Sequence, residues 1–179
     1  MLEQDMQKIL FTHEEITNRI HELADQITKD YAGKNPLVVG VLRGSFIFMA
    51  DLVRAIQTPL TLDFISASSY GSGTVSSGQV NIRLDLSEDI AGRDVLIVED
   101  ILDTGNTLSK LVAELKTRTP ASIKLCVMLD KPERRTHPIQ ADYAGFSIPD
   151  AFVVGCGLDF DQRYRHLDYI GILKPSVYE

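Results

Sequence analysis

The sequence predicts an α/β fold whose core is a mainly parallel sheet. Apolar runs of strand length alternate along the chain with longer segments of helical periodicity. Such alternation is typical of βαβ units, in which a helix connects two parallel strands. Strands are expected at residues 37–42, 60–66, 80–84, 95–98 and 123–129, and helices at 12–27, 46–56 and 107–118.

Individual segments support this assignment. Thr12 and Glu15 form a capping-box pattern, and apolar residues at helical spacing follow them. Residues 95–98 are all apolar and mostly β-branched, as expected of a strand that is covered on both faces. The C-terminal third is richer in Pro, Gly and Tyr and is expected to form a small hood of short elements over the sheet.

Length and composition fit a single globular domain covering residues 1–179. Hydrophobic residues make up 44% of the chain and charged residues 24%, which argues against a disordered or fibrous protein. The net charge of -7 disfavours nucleic acid and anionic lipid as partners. The two cysteines make no disulfide framework, and no apolar run approaches the roughly 18 residues of a membrane span. We therefore expect a cytoplasmic protein with no nucleic-acid or membrane partner.

Residues 71–78 differ in composition from the rest of the chain, because seven of these eight positions are Gly, Ser or Thr. Such a segment buries too little apolar surface to offset the entropy of ordering it. Its composition fits either a flexible hairpin connection or a lid.

The strongest chemical signal is a cluster of carboxylates at the end of the strand at 95–98. Glu99 and Asp100 follow that strand, and Asp103 stands three residues further on. Ligands of open α/β sheets bind at the carboxyl ends of the strands. Residues 104–107, Thr-Gly-Asn-Thr, then lead into a helix whose N-terminal N–H groups suit a phosphate. Alternatively, the acidic turn only caps the following helix.

Residues 98–107, Val-Glu-Asp-Ile-Leu-Asp-Thr-Gly-Asn-Thr, closely resemble the phosphoribosyl-diphosphate signature of the type I phosphoribosyltransferases. Five segments in all resemble, in the right order, motifs of the hypoxanthine/guanine branch of that family. Besides the signature they are a pyrophosphate loop, a lid start, a purine-selecting lysine, and a C-terminal base-stacking and pyrophosphate-side region: residues 42–45, 69–71, 131, and 152–153 with 158–165. The family's fold is a Rossmann-like parallel sheet with a small hood and a flexible lid loop.

The resemblance implies a role for each matched residue. Asp103 is implied as the general base beside purine N7, while Glu99 and Asp100 are implied to hold the ribose hydroxyls and the metal environment. Asp159 is implied to help hold Mg²⁺. The other implied contacts are 5-phosphate binding by Thr104, Gly105, Asn106 and Thr107, purine binding by Lys131, Phe152 and Val153, pyrophosphate binding by Leu42, Arg43, Gly44 and Arg165, and lid contacts by Ser69 and Tyr70.

The implied reaction joins a 6-oxopurine to phosphoribosyl diphosphate and releases pyrophosphate, with hypoxanthine and guanine as the bases. A lid would exclude water from the activated sugar, so this chemistry favours the lid interpretation of residues 71–78. The family often has a non-proline cis peptide between Leu42 and Arg43, and it commonly forms homo-oligomers, dimers or tetramers. The basic segment Glu133-Arg134-Arg135 is interpreted as a solvated turn.

Two alternatives stay open. One is a phosphoribosyltransferase for another base; Lys131 and Phe152 argue against orotate and adenine, but xanthine keeps the 6-oxo group. The other is a nucleotide-sensing regulator that binds RNA or DNA, because a fold does not fix a function. Such a regulator would be expected to show a basic face, against which the net charge counts.

Overall fold

The computed structural model of the chain describes residues 2–68 and 81–178. Two short 3-10 turns, Leu2–Asp5 and Pro132–Arg134, accompany the strands and helices. In chain order the strands and helices of this part are β1 (Met6–Phe11), α1 (His13–Asp30), β2 (Leu37–Val41), α2 (Phe46–Ala55), β3 (Thr61–Ser68), β4 (Asn81–Leu84), β5 (Asp94–Leu102), α3 (Asn106–Lys116), β6 (Ser122–Asp130), β7 (Tyr143–Ser147), β8 (Val153–Val154), β9 (Ile170–Leu173) and α4 (Pro175–Tyr178).

The main sheet has six strands in the order β4-β3-β2-β5-β6-β7. Strands β3, β2, β5, β6 and β7 run parallel, and only β4 at the edge is antiparallel. The predicted mainly parallel sheet is therefore confirmed. From β2 the chain proceeds to β3 on one side, whereas from β5 it proceeds to β6 on the other. The crevice between the ends of β2 and β5 is thus the topological switch point of the sheet, where ligands of this architecture bind.

Helices cover both faces of this sheet. Helices α1 and α2 pack on one face, where they enclose Leu96 and Val98 of β5. Helix α3 packs on the other, where it encloses Val95 and Ile97. All four side chains are fully buried, which explains why this stretch is apolar at every position. The capping box that begins α1 is also present, with the Thr12 N–H donating to Glu15 Oε2 at 2.8 Å.

A second, smaller sheet forms the hood in the order β1-β9-β8, with antiparallel pairing throughout. The sequence assigns the hood largely to the C-terminal third, and β8 and β9 do come from there. Strand β1, however, comes from the N-terminus and was missed. Its sequence, Met-Gln-Lys-Ile-Leu-Phe, mixes polar and apolar residues without clear alternation, because it is a largely exposed edge strand.

Strand β5 is longer than predicted. The sequence places its end at Val98, but the ladder to β6 continues through Glu99, which pairs with Val127, as far as Leu102, which pairs with Asp130. The two carboxylates predicted to follow the strand therefore lie within it. Strand β2 stops earlier, so its last pair with β5 joins Gly40 to Val98. From residue 99 onward β5 is paired on one side only.

The prediction of a strand at 80–84 is met by β4 at Asn81–Leu84, while Val80 lies outside the described residues. So do Ser69, Tyr70 and the segment 71–78, and the lid interpretation therefore stays a prediction. Within 2–68 and 81–178, no helix is both long and apolar enough to cross a membrane.

The turn after β2 packs against β5 at one tight point. A Cβ built on Gly44 would lie 1.5 Å from Oδ2 of Asp100, which is far shorter than any contact between nonbonded atoms. Asp100 is 9% exposed and so has little room to move away. Only glycine at position 44 lets the turn approach the carboxylate so closely.

We predict that Gly44→Ala lowers the free energy of unfolding by about 1–3 kcal/mol, because the added methyl overpacks the Asp100 carboxylate. Urea denaturation of the purified protein measures the change. The same substitution made in an Asp100→Ala background should cost less, since the clashing carboxylate is gone. Equal costs in the two backgrounds would contradict the contact.

Candidate active site

Three neighbouring cavities open at the switch point. The first, of about 270 Å³, is lined by the end of β5 and the turn into α3, residues 99–108. The second, of about 500 Å³, lies between β5, the segment after β6 and the hood. The third, of about 490 Å³, includes Arg43 and Arg165. Ile101 and Asp103 line both the first and the second cavity, and Leu42 lines both the first and the third. The three cavities are therefore adjoining compartments of one site.

The first compartment contains the N-terminus of α3, where Gly105 occupies the N-cap position with φ +81°. A Cβ there would lie 2.6 Å from Cγ2 of Ile139, so glycine is needed both for the left-handed backbone and for space. Gly105 has no side chain for capping, and the Asn106 N–H donates to Thr104 Oγ1 at 3.3 Å. The predicted residues Thr104, Gly105, Asn106 and Thr107 all line this cavity at the start of the helix. This arrangement suits a phosphate.

The carboxylates of Glu99 and Asp100 lie at the floor of this compartment. Burial raises the pKa of Glu99 well above its usual range, and the neighbouring charge of Asp100 adds to the effect. Burial likewise raises the pKa of Asp100, while the Arg165 guanidinium acts in the opposite direction. Within the described residues, the buried Oε2 of Glu99 has no hydrogen-bond partner. Because buried polar atoms are normally hydrogen-bonded, this oxygen is suited to accept a hydrogen bond from a ligand in the cavity.

The third compartment is basic. Arg43 and Arg165 both donate to Oε1 of Gln162, over 3.1 Å and 3.3 Å. Arg165 also pairs with Asp159 at 2.7 Å and donates to the Gly157 carbonyl at 2.7 Å. The two predicted arginines are thus held around a single neutral oxygen. Gln162 was not predicted, because its position depends on a backbone with positive φ, +62° at this residue.

The loop containing Arg43 is fixed in place by backbone packing. The peptide bond between Leu42 and Arg43 is cis, as the resemblance implies. Gly157, with φ +101°, packs so closely on Gly44 that a Cβ there would lie 2.0 Å from the Gly44 carbonyl oxygen. The hood loop and the turn after β2 therefore touch backbone to backbone. This contact brings Arg165 to the same side as Arg43.

The second compartment combines one buried cation with an aromatic ring. Lys131, which follows β6 directly, is 7% exposed, and its Nζ donates to the Ala151 carbonyl at 2.7 Å. Its Nζ also lies 3.7 Å from Oδ1 of Asp150. Phe152 and Val153 line the same cavity. The lysine and the ring predicted to act together thus do share one compartment, 500 Å³ in size.

Asp103 lies at the junction of the first two compartments and forms an ion pair with Arg134, a residue to which the sequence analysis assigned no role in the site. Nε of Arg134 donates to Oδ1 of Asp103 at 3.1 Å, and Nη1 of the same arginine donates to Asp150 at 3.2 Å. Glu133 and Arg134 are exposed, as expected of a solvated turn, although Arg134 is paired with two carboxylates; the interpretation is wrong only for Arg135. Arg135 donates to the Asp103 carbonyl at 3.0 Å, and its side chain is mostly buried. The signal available in the sequence was a pair of arginines three and four residues after Lys131.

The three carboxylates predicted to bind Mg²⁺ do not form a ready-made cage. Among residues 2–68 and 81–178, no group of three His, Cys, Asp or Glu side chains is arranged to hold a metal ion. Asp159 lies beside Arg165 and Gln162 of the third compartment; its carboxylate pairs with Arg165 and accepts a hydrogen bond from the Gln162 N–H at 2.9 Å. The negative charge of the Asp159 carboxylate nevertheless helps to raise the pKa of Asp100. Mg²⁺ commonly uses one or two carboxylates together with substrate phosphates, and this arrangement fits that mode.

Comparison with known proteins agrees with this geometry. Residues 6–161 match the family model described as the phosphoribosyl transferase domain. The chain is 54% identical over 178 residues to the hypoxanthine-guanine phosphoribosyltransferase of Streptococcus pneumoniae strain R6, with 99% of each chain covered. It is 51% identical to the enzyme of the same name from Bacillus subtilis, covering 100% of this chain and 99% of that one.

Solved structures of phosphoribosyltransferases also resemble this chain closely. A hypoxanthine phosphoribosyltransferase from Staphylococcus aureus superimposes with a TM-score of 0.95 and 49% identity, covering 99% of this chain and 97% of that one. A hypoxanthine phosphoribosyltransferase from Trypanosoma cruzi, solved as a ternary substrates complex, superimposes with a TM-score of 0.93 and 49% identity, covering 98% and 100%. By sequence and by structure, this chain belongs to the hypoxanthine-guanine phosphoribosyltransferase branch of the phosphoribosyltransferase family.

Proposed function

We propose that the chain is a purine-salvage enzyme that transfers the 5-phosphoribosyl group of phosphoribosyl diphosphate to N9 of hypoxanthine or guanine. The products are IMP or GMP and pyrophosphate. The observation that carries this proposal is the row of three adjoining compartments, each with the chemistry of one part of the reactants. The relatives at 51–54% identity are named for the same activity.

The sugar phosphate is proposed to occupy the first compartment. Its 5-phosphate accepts hydrogen bonds from residues 104–107 at the N-terminus of α3, where the helix dipole favours an anion. Its hydroxyls bind to Glu99 and Asp100. An unpartnered buried carboxylate oxygen supports this assignment, because a ribose hydroxyl would supply the donor that Glu99 Oε2 lacks.

The pyrophosphate is proposed to leave into the third compartment. Breaking the bond between C1 of the ribose and the pyrophosphate oxygen gathers negative charge on that oxygen. Arg43 and Arg165 are already positioned there and stabilise this charge. Leu42 and Gly44 contribute backbone on the same side, where a side chain at position 44 would displace Asp100.

Mg²⁺ is proposed as the cofactor. Glu99 and Asp100 on the ribose side, and Asp159 on the pyrophosphate side, are the residues that would hold it, together with phosphate oxygens of the substrate. When bound, the ion neutralises charge on the leaving group.

The base is proposed to occupy the second compartment. Lys131 donates to the oxygen at purine C6, Phe152 stacks on the ring, and the Val153 backbone contacts the base edge. Lys131 suits this task because it is buried, and its Nζ is oriented by the Ala151 carbonyl. A lysine has three N–H donors and no acceptor, so it pairs with a carbonyl but not with an amino group.

Asp103 is proposed as the general base. As N9 forms its bond to C1 of the ribose, the purine becomes more acidic and its N7 proton passes to the Asp103 carboxylate. Support comes from position, since Asp103 lines both the sugar-phosphate and the base compartments. The contact of Arg134 Nε with Asp103 Oδ1, at 3.1 Å, also holds the carboxylate in position beside the two compartments.

Three further parts of the proposal rest on the family resemblance. Ser69, Tyr70 and residues 71–78 are proposed to form the lid that excludes water during transfer. The active species is proposed to be a dimer or tetramer. The enzyme is also proposed to act in the cytoplasm.

We predict that hypoxanthine and guanine are turned over efficiently and that adenine is a poor substrate. With adenine, Lys131 would meet an amino group instead of a carbonyl, and buried polar groups would be left unpaired. The test supplies five bases, including xanthine and orotate, with phosphoribosyl diphosphate and Mg²⁺, and measures pyrophosphate release. Turnover of adenine equal to that of hypoxanthine would refute the role of Lys131.

We predict that Asp103→Asn folds normally and lowers kcat by roughly 10²–10⁴-fold, the usual effect of losing a general base. Affinity for phosphoribosyl diphosphate should change little, because Glu99, Asp100 and the helix N-terminus remain. Steady-state kinetics and calorimetry measure the two quantities. The matched control is Asp25→Asn on the exposed face of α1, which should behave as wild type. Near-normal turnover by Asp103→Asn, or loss of phosphoribosyl-diphosphate binding, would reject the general-base assignment.

A further inference from the structure

Phe152, the ring proposed to stack on the purine, is itself stacked on an aromatic residue at the end of the chain. The centroids of the Phe152 and Tyr178 rings lie 4.9 Å apart, and their planes differ by 22°. Phe160 meets Phe152 almost at a right angle, with centroids 5.7 Å apart. Phe160 and Tyr178 are also in contact, with centroids 6.4 Å apart. These three residues form what we call the aromatic cluster.

The fold places Tyr178 beside Phe152 through the hood sheet. Strand β9 lies next to β8, and the Leu173 N–H donates to the Phe152 carbonyl at 2.9 Å. The chain then turns into α4, whose Val177 packs against the small core of the hood. Tyr178 is therefore held at the base compartment, which it lines together with Phe152 and Lys131.

Phe152 keeps accessible surface despite its aromatic contacts. Tyr178 stacks on one face of the ring, and Phe160 adds an edge contact, yet 39% of Phe152 is still accessible. Phe152 also lines the cavity that holds Lys131, so part of its surface is available to a ligand in the base compartment.

We propose that Tyr178 is a positioning residue for the purine. It backs Phe152, so that base binding completes a three-layer stack of Tyr178, Phe152 and purine. An exposed phenylalanine loses side-chain freedom when a ligand stacks on it, and the tyrosine removes that freedom beforehand. This inference rests on the proposed function, since it takes the base compartment to be the purine site.

The test is kinetic. Tyr178→Ala should raise KM for hypoxanthine at saturating phosphoribosyl diphosphate by about three- to tenfold, the range expected for losing one aromatic stacking contact. KM for phosphoribosyl diphosphate and kcat should stay close to the wild-type values, because Tyr178 does not line the other two compartments. Tyr178→Phe keeps the ring and should restore the wild-type KM for hypoxanthine.

Val177→Ala is the matched control, since it weakens the contact of α4 with the hood core but keeps the Tyr178 ring; its KM for hypoxanthine should remain near wild type. An unchanged KM in Tyr178→Ala would overturn the proposal. A lowered KM would also overturn it, because Tyr178 would then occupy the position proposed for the purine. So would an equal rise of the KM in Val177→Ala.

Direct calorimetric binding of IMP separates this question from the proposed function. If the wild type failed to turn over hypoxanthine, the proposed function would fail, and the effect of Tyr178→Ala on IMP affinity would decide the role of Tyr178 alone.

Discussion

The architecture of the site depends on two neighbouring strands of unequal length. Strand β2 pairs with β5 only as far as Val98, but β5 continues to Leu102 along β6. The last residues of β5 thus have one open side at the switch point of the sheet. Glu99 and Asp100 lie on this stretch, and burial raises the pKa of both. Within the described residues, the buried Oε2 of Glu99 has no hydrogen-bond partner. Buried carboxylates of this kind are costly unless a ligand supplies hydrogen bonds or positive charge.

Negative and positive side chains lie in different compartments of this crevice, as the proposed reaction requires. Carboxylates line the proposed sugar compartment, and Arg43 and Arg165 line the compartment proposed for the leaving group. On the base side, ion pairs run from Asp103 through Arg134 and Asp150 to Lys131. The proposed base and the proposed purine-selecting cation are thereby connected through one network. Charges fixed in this way before substrate arrives need little rearrangement during catalysis.

Local patterns in the sequence predicted much of this structure. The capping box, the apolar run of β5 and the strand–helix alternation each depend on neighbours in sequence, and each was found. Strand β1 was missed because an exposed edge strand need not alternate. Gln162 and Arg134 were missed because their roles arise from contacts 119 and 31 residues away in sequence, which no local pattern records. Tyr178 reaches Phe152 only through the hood sheet, so its position too follows from tertiary structure.

The most direct test of the account is a crystal structure of the protein with IMP. We expect the 5-phosphate to lie at residues 104–107, with the ribose hydroxyls at Glu99 and Asp100. We also expect the purine to lie against Phe152, with its 6-oxygen within hydrogen-bonding distance of Lys131 Nζ. A nucleotide bound in the opposite direction, with its base at the N-terminus of α3, or bound away from the crevice between β2 and β5, would contradict it.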